Sequence, residues 1–282
     1  MNWPTLKASC EVALAAAGVD RPARMVLDWF SDVYGRASLK DEAVPSKNVE
    51  TVHTQLQRLI AGEPLAYVTG LAHFYGYELE VGPGVLIPRP ETEELVRWIL
   101  EDFPMHPAIR FADLCCGSGC IGVALVLRRL TWSGIACDLS PYAIEFTERN
   151  AKKHDVTTQL EVNQVDLFSE EQLSVLPELD LIVSNPPYIG ADDWSRVAPN
   201  VADFEPRMAL FVEGSDPLLF YRRLERLARR RLRSAGWLYV ECNDRLAQRV
   251  ADELIQLSWR SVEVLTDMQG KPRHVKAMKP AA

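Results

Sequence analysis

Two short stretches of the 282-residue sequence combine residue types that could do chemistry. The first is Asn185-Pro186-Pro187-Tyr188, directly after the apolar run LDLIVS. Consecutive prolines fix φ and remove two backbone donors, so the stretch exposes carbonyl oxygens without competing N–H groups. Asn185 adds a side-chain oxygen beside them, and Tyr188 supplies a flat face to bracket a planar group. Such a rigid, acceptor-rich pocket can hold an –NH2 group by both of its hydrogens. The plainer account is a proline loop breaker with asparagine capping a turn. The second stretch is FADLCCGSGCIG. Small residues at Cys115, Cys116, Gly117, Ser118 and Gly119 let the backbone approach a ligand, and the helix that follows offers free N–H groups. Gly117 to Gly122 also satisfies the dinucleotide pattern GxGxxG, and Asp138, 16 residues beyond Gly122, ends the next strand where a carboxylate can take ribose hydroxyls. That turn alone admits a nicotinamide or flavin enzyme. The proline stretch favours a transferase acting on a planar amine or amide nitrogen, because an oxidoreductase has no need of such a device.

Both stretches need elements to position them. From residue 91 onward, short apolar strands mostly alternate with helices: IRFADLC, SGIACDLS, QLEVNQVDLF, LDLIVS and GWLYVEC are the strands. This is the signature of an α/β fold with a mostly parallel sheet covered on both faces. The last two strands, SVEVLTDM and HVKAMK, are joined by QGKPR without a helix and should pair antiparallel. In such a sheet, ligands bind at the carboxyl ends of strands, near the point where strand order reverses. Residues 1–75 read as a small helical domain, with apolar residues at helical spacing in Met25, Val26, Trp29, Phe30 and Val33 and again in Val49, Val52, Leu56, Leu59 and Ile60. Gly35 and Gly62 fit the ends of these helices. Residues 76–90 read as a hairpin linker, YELEV and VLIP joined by Gly82-Pro83-Gly84, and residues 91–282 as the sheet domain.

Composition narrows the class. At 48% hydrophobic and 25% charged the chain is of ordinary globular make-up, not disordered or fibrous. Its longest nearly continuous apolar run, Ile121 to Leu127, is far short of the ~20 residues a membrane helix needs. The N-terminus reads as an amphipathic helix rather than a secretion signal. The net charge of −8 points away from nucleic acid as a stable partner, since phosphate contacts need basic excess. Six cysteines without a CxxC pair suggest reduced thiols in the cytoplasm, and five scattered histidines, His53, His73, His106, His154 and His274, suggest no metal site. The arginine run from Arg222 to Arg233 reads as a solvated helix face.

In order, DLCCGSG, Asp138, Asp166 and NPPY resemble class I S-adenosylmethionine-dependent methyltransferases with a Rossmann-like sheet. With PLAYVTGLAHFYGYELEV, VLIPRPETEELV, FEPRMAL and DMQGKPR added, the chain more closely resembles the PrmC/HemK family of release factor glutamine N5-methyltransferases. The resemblance implies S-adenosyl-L-methionine as cofactor and peptide-chain release factors as protein substrates, methylated on the Gln of the Gly-Gly-Gln loop. It puts the cofactor on Cys115 to Gly119, Asp138, Leu167 and Asn185, with Asp113 near the methionine amino end and Asp166 with Leu167 at the adenine. Asn185 Oδ1 and the Pro186 carbonyl would accept the two hydrogens of the substrate amide, with Pro187 and Tyr188 completing that pocket and Arg89 and Glu91 lining the substrate side. Where the family has glycine and threonine, this chain has Cys115 and Cys116; an aromatic of some members is Leu167, and Asp-Gly-Leu is Asp216-Pro217-Leu218. Glu205 would order a loop over the pocket or pair with Arg207. Three rival readings are methylation of a glutamine in a large-subunit ribosomal protein, methylation of a nucleic acid such as at adenine N6, and a dinucleotide oxidoreductase or non-catalytic nucleotide-binding module.

Overall fold

The computed structural model describes residues 1–104, 108–214 and 216–280; His106 lies outside them. The chain divides into two compact units. One comprises Met1–Leu71, Val81–Pro83 and Ala198–Phe204, and the other Ala72–Glu80, Gly84–Val197 and the chain from Glu205 onward.

The first unit is helical: α1 (Trp3–Ala16), α2 (Pro22–Tyr34), α3 (Ser46–Ile60) and α4 (Leu65–Thr69). Asn2 caps α1 by accepting from Thr5 N at 3.0 Å. The apolar stripes meet in one core containing Trp3, Leu6, Val26, Trp29, Phe30, Val52, Leu56 and Leu59. Those are largely the residues that helical spacing picked out.

The hairpin lies elsewhere than expected. It is formed by β1 (Leu71–Phe74) and β2 (Tyr77–Glu80) around Tyr75-Gly76. Both turn residues have positive φ, 52° and 83°, the conformation that suits a two-residue hairpin to the twist of its strands. Val85 to Pro88 is not a strand. Pro88 has no N–H, and the Ile87 N–H is taken by Glu205 Oε2 at 3.0 Å, which leaves few donors for a ladder.

The second unit alternates as anticipated through α5 (Pro90–Asp102), β3 (Arg110–Leu114), α6 (Cys120–Arg128), β4 (Ser133–Asp138), α7 (Pro141–Lys153), β5 (Leu160–Gln164), α8 (Glu170–Leu173) and β6 (Leu179–Ser184). After β6 come α9 (Pro199–Phe204, in the first unit), α10 (Arg207–Leu210), α11 (Leu219–Arg231) and β7 (Leu232–Glu241). Then follow α12 (Ala247–Gln256), β8 (Arg260–Thr266) and β9 (Pro272–Met278). The seven-stranded sheet has the order β5-β4-β3-β6-β7-β9-β8. Its first five strands are parallel, and β9 runs antiparallel to both β7 and β8. Helices cover both faces. One core joins Leu95, Ile99, Val123 and Phe111, the other Leu224, Leu227, Val250 and Leu254 with Ala112 and Leu114. The tight β3–β4 pairing leaves no room at Gly134, where a Cβ would stand 2.3 Å from Phe111 Cζ. Strand order reverses between β3 and β6, so the crevice should open where Leu114 pairs with Ser184.

Candidate active site

At that crevice, Ser184 Oγ donates to Leu114 O at 2.6 Å, tying the ends of β6 and β3 together. The glycine turn leaves β3 from this point. Cys115 has φ 60° and Gly117 and Gly119 have φ 56° and 75°, so the turn repeatedly visits the left-handed region. A Cβ at Gly119 would meet Thr147 Cγ2 at 2.7 Å, whereas one at Gly117 would meet nothing within 4 Å. The turn is therefore close-packed behind and open in front.

Asp113 lies beneath the turn. Its Oδ2 accepts from Gly122 N at 2.9 Å, supplying the cap that Gly119 has no side chain to provide for α6. Oδ1 is buried and has no hydrogen-bond partner among the described residues. Burial, with the charge of Asp138 in addition, pushes the Asp113 carboxyl up to about 7, although the Gly122 bond opposes the shift. Asp113 is not among the residues that line the cavity. Two residues of α7 fasten the turn from behind. Thr147 Oγ1 donates to Gly117 O at 3.1 Å, and Asn150 Nδ2 donates to Ser118 O at 2.9 Å.

The cavity in front has a volume of about 1080 Å³ including its open mouth, and its lining collects most of the expected cofactor residues. Cys115, Cys116, Gly117, Ser118, Asp138, Asp166, Leu167, Asn185 and Pro187 all line it, together with Arg89 and Thr92. Gly119 itself does not. Asp138 ends β4 with its oxygens accepting from Gly117 N at 3.0 Å and Ser140 N at 2.9 Å. Burial raises its carboxyl against these bonds. Beside it, Val165 N donates to Asp138 O at 2.9 Å, and the following Asp166 accepts from Phe168 N on Oδ1 at 2.8 Å. Phe168 and Phe220 pack edge to face at 5.2 Å, and both line the cavity. An aromatic wall is thus present one residue beyond Leu167. Cys120 and Cys137 also reach the lining. Burial is the main influence on all four thiols, pushing Cys137 up to about 12 and raising the other three as well, so they stay protonated fillers rather than nucleophiles.

Asn185 follows β6 directly, and its Nδ2 donates to Thr92 Oγ1, another lining residue, at 3.2 Å. Pro186 is buried and, like the half-buried Tyr188, does not line the cavity. Burial pushes the Tyr188 phenol upward, with Glu241 adding to the rise and Arg273 and Arg89 opposing it. Glu91 adds a smaller rise and lies in the first turn of α5, outside the lining. Glu205 is not paired with Arg207. It takes the Arg89 guanidinium and Ile87 N, while Arg207 stacks over Trp194 at 4.2 Å.

Several positioning residues escaped the sequence reading. Thr147, Asn150, Thr92 and Glu241 act through contacts 30 to 149 positions apart, which no local spacing reveals. Arg223 of α11 is buried and donates to Leu167 O and Glu170, holding the loop with Asp166. Arg222, Arg229, Arg230 and Arg233 are paired with Glu253, Glu225, Glu170 and Asp180, which satisfies most of the basic run. Among the described residues, no group of three or more His, Cys, Asp or Glu could hold a metal ion, and no helix is long and apolar enough to cross a membrane.

Residues 93–200 match the family described as Methyltransferase small domain. The chain is 37% identical over 246 residues to the release factor glutamine methyltransferase of Bacteroides thetaiotaomicron, spanning 87% of this chain and 86% of that protein. It is 35% identical over 274 residues to that of Streptomyces coelicolor, spanning 94% of each. Among solved structures, the catalytic domain of hMettl16 in complex with hairpin 6 of the MAT2A 3′UTR matches with a TM-score of 0.57 at 17% identity, over 82% of each chain. A methyltransferase from Pyrococcus furiosus matches at 0.55 and 16%, over 80% of this chain and 98% of that one. These two share the fold.

Proposed function

Because the chain belongs to the release factor glutamine methyltransferases, S-adenosylmethionine-dependent enzymes that modify protein, we propose that it methylates N5 of the glutamine in the Gly-Gly-Gln loop of peptide-chain release factors. The observation that carries this reading is the orientation of Asn185. With Nδ2 given to Thr92, its Oδ1 is left as the acceptor for an incoming –NH2 group.

The cavity suits the cofactor. The open space in front of Gly117, the carboxylate of Asp138 at the end of β4 and the Phe168–Phe220 pair give the same cavity polar and aromatic lining. When bound, S-adenosylmethionine supplies an electrophilic sulfonium methyl. Cys115 to Ser118 would hold its amino-acid portion, Asp138 its ribose hydroxyls, and Asp166, Leu167 and Phe168 its adenine.

An amide nitrogen is a poor nucleophile because its lone pair is delocalised into the carbonyl. Asn185 Oδ1 and the Pro186 carbonyl would accept its two hydrogens, which directs the lone pair at the methyl. Tyr188 would bracket the flat face of the amide, with Pro187 closing the side. Orientation of this kind recovers ~7–11 kcal/mol of a barrier in favourable cases. The methylated nitrogen sheds its extra proton to water, so no side chain is assigned as a base. We assign Met1–Leu71 to recognition of the protein substrate and the work of the enzyme to the cytoplasm, and the charge of −8 agrees with a protein rather than a duplex.

The test is peptide mass spectrometry of a release factor incubated with the protein and S-adenosylmethionine. One added methyl on the Gly-Gly-Gln glutamine is expected, falling at least ~100-fold with Asn185→Ala, the scale of losing a key transition-state hydrogen-bonding group. Cofactor binding without methylation would instead direct attention to a ribosomal-protein glutamine.

A further inference from the structure

We infer that Thr92 and Glu241 form a positioning relay that fixes which way the Asn185 amide faces, and thereby which end of a substrate amide the site accepts. This rests on the reading of Asn185 as the amide clamp. Asn185 Nδ2 donates to Thr92 Oγ1 at 3.2 Å, and Thr92 Oγ1 donates to Glu241 Oε2 at 2.7 Å. A hydroxyl carries one proton. With that proton given to the Glu241 carboxylate, Thr92 Oγ1 has only lone pairs left, and its neighbour must present an N–H. Rotated by half a turn, the Asn185 amide would set Oδ1 against Thr92 Oγ1 with no proton between them. It would then aim an NH2 group into the pocket. A substrate glutamine offers both a carbonyl oxygen and an –NH2, so the flipped clamp would seize the oxygen and leave the nitrogen unheld.

The surroundings enforce the arrangement. Thr92 is 2% exposed and Glu241 1%, so the hydrogen bond between them lies in the interior, where an unmatched pair of acceptors is costly. Val240 of β7 pairs in register with Ser184 of β6, which sets Glu241 level with Asn185 at the strand ends. On the other side of β7, Glu241 pairs with His274 of β9, whose Nε2 lies 3.6 Å from Glu241 Oε2. Glu241 does not line the cavity, and its side-chain hydrogen bond toward Asn185 runs through Thr92.

Three variants of the full chain test the relay. Thr92→Val removes the hydroxyl, and Thr92→Ser keeps it. Glu241→Gln keeps the shape but can offer Thr92 an N–H, which frees the hydroxyl proton and permits the flip. The first readout is NMR of the protein alone with 15N-labelled asparagine, the Asn185 –NH2 signals being identified by their loss in Asn185→Asp. Their exchange with water is expected to be slow in the wild type and Thr92→Ser, and about tenfold faster or more in Thr92→Val and Glu241→Gln, as the bond to Thr92 is lost or broken by the flip. In turnover of a release factor, kcat is expected to fall roughly 10- to 100-fold in those two variants, the scale of a misplaced reacting group, with the cofactor KM little changed and most of the rate kept by Thr92→Ser. Equal exchange in all proteins overturns the relay. So does a kcat loss that comes with equal losses of cofactor affinity and melting temperature, which would mark a merely structural role. Full turnover by Asn185→Ala would sink the clamp reading instead, and the exchange rates would still judge the relay.

Discussion

Glu205 reaches across 116 positions of sequence to hold Arg89, taking the guanidinium on one carboxylate oxygen and the Ile87 N–H on the other. The Glu205 side chain is 1% exposed and that of Arg89 29%. In the segment from Gly84 to Arg89, residues of which line the cavity, both Ile87 N and the Arg89 guanidinium are therefore held by one buried carboxylate. Removing one partner of a buried pair strands the other. Glu205→Ala is expected to lower stability by ~3 kcal/mol in denaturant unfolding. It should also weaken S-adenosylhomocysteine binding by calorimetry, and an unchanged unfolding midpoint would contradict the pairing.

Asp138 has two duties, since it holds the turn through Gly117 N and faces the cavity. Asp138→Ala should weaken cofactor binding by roughly 30-fold or more, the scale of losing charge-assisted hydrogen bonds worth ~2 kcal/mol. Fluorescence titration with S-adenosylhomocysteine measures this. An affinity equal to the wild type would remove Asp138 from the site.

Asp113 predicts a pH dependence. Its folded-state carboxyl is pushed up to about 7, against roughly 4 for an unfolded chain. Between those values the native state binds more protons, so the group costs stability as pH rises from about 4 to about 7, and the cost is constant above. A neutral amide in its place carries no such charge. Asp113→Asn should therefore gain on the wild type steadily over that window, by ~4 kcal/mol at most, and match it most closely near pH 4. Paired melts at pH 4, 6 and 8 check the sign; an advantage that shrinks with rising pH would refute the assignment.

The two adjacent cysteines should respond differently to glycine. Cys115 has φ 60°, where a Cβ costs ~1–2 kcal/mol, about what glycine loses in chain entropy. Cys115→Gly should shift stability by less than about 1 kcal/mol, the two effects offsetting each other. Cys116 has no positive φ and is 5% exposed in the core beside Thr147. Cys116→Gly should cost ~2 kcal/mol through the void and added backbone freedom. Thermal melts of the pair distinguish the cases, and equal losses would mean the left-handed turn is not strained.

The features that were legible in sequence are those encoded locally. Strand and helix periods gave the parallel sheet and the antiparallel end, and the small residues from Cys115 to Gly119 and the prolines after Asn185 marked the two loops at the strand ends. The hairpin was displaced because glycines flanking Pro83 look like a turn, whereas the true turn places a tyrosine, Tyr75, in the left-handed region. The pairing of Glu205 with Arg89 rather than with its near neighbour Arg207 has no local signature. Neither does the support of the turn by Thr147 and Asn150, nor that of Asn185 by Thr92 and Glu241. Such contacts are chosen by the three-dimensional packing of elements far apart in the chain.

The strand order β7-β9-β8 has a consequence for synthesis. Although β8 emerges from the ribosome before β9, it joins the sheet only through β9, and His274 beside Glu241 comes with that later strand. A nascent chain interrupted before Pro272 would carry the glycine turn and Asn185 already made, yet would leave β7 as an open edge. The side of Glu241 where His274 belongs would then be bare to water. Translation must run through Met278 before the enzyme can work on the machinery of translation termination, so a truncated copy is expected to be inactive and prone to edge-strand association rather than a weakened methyltransferase.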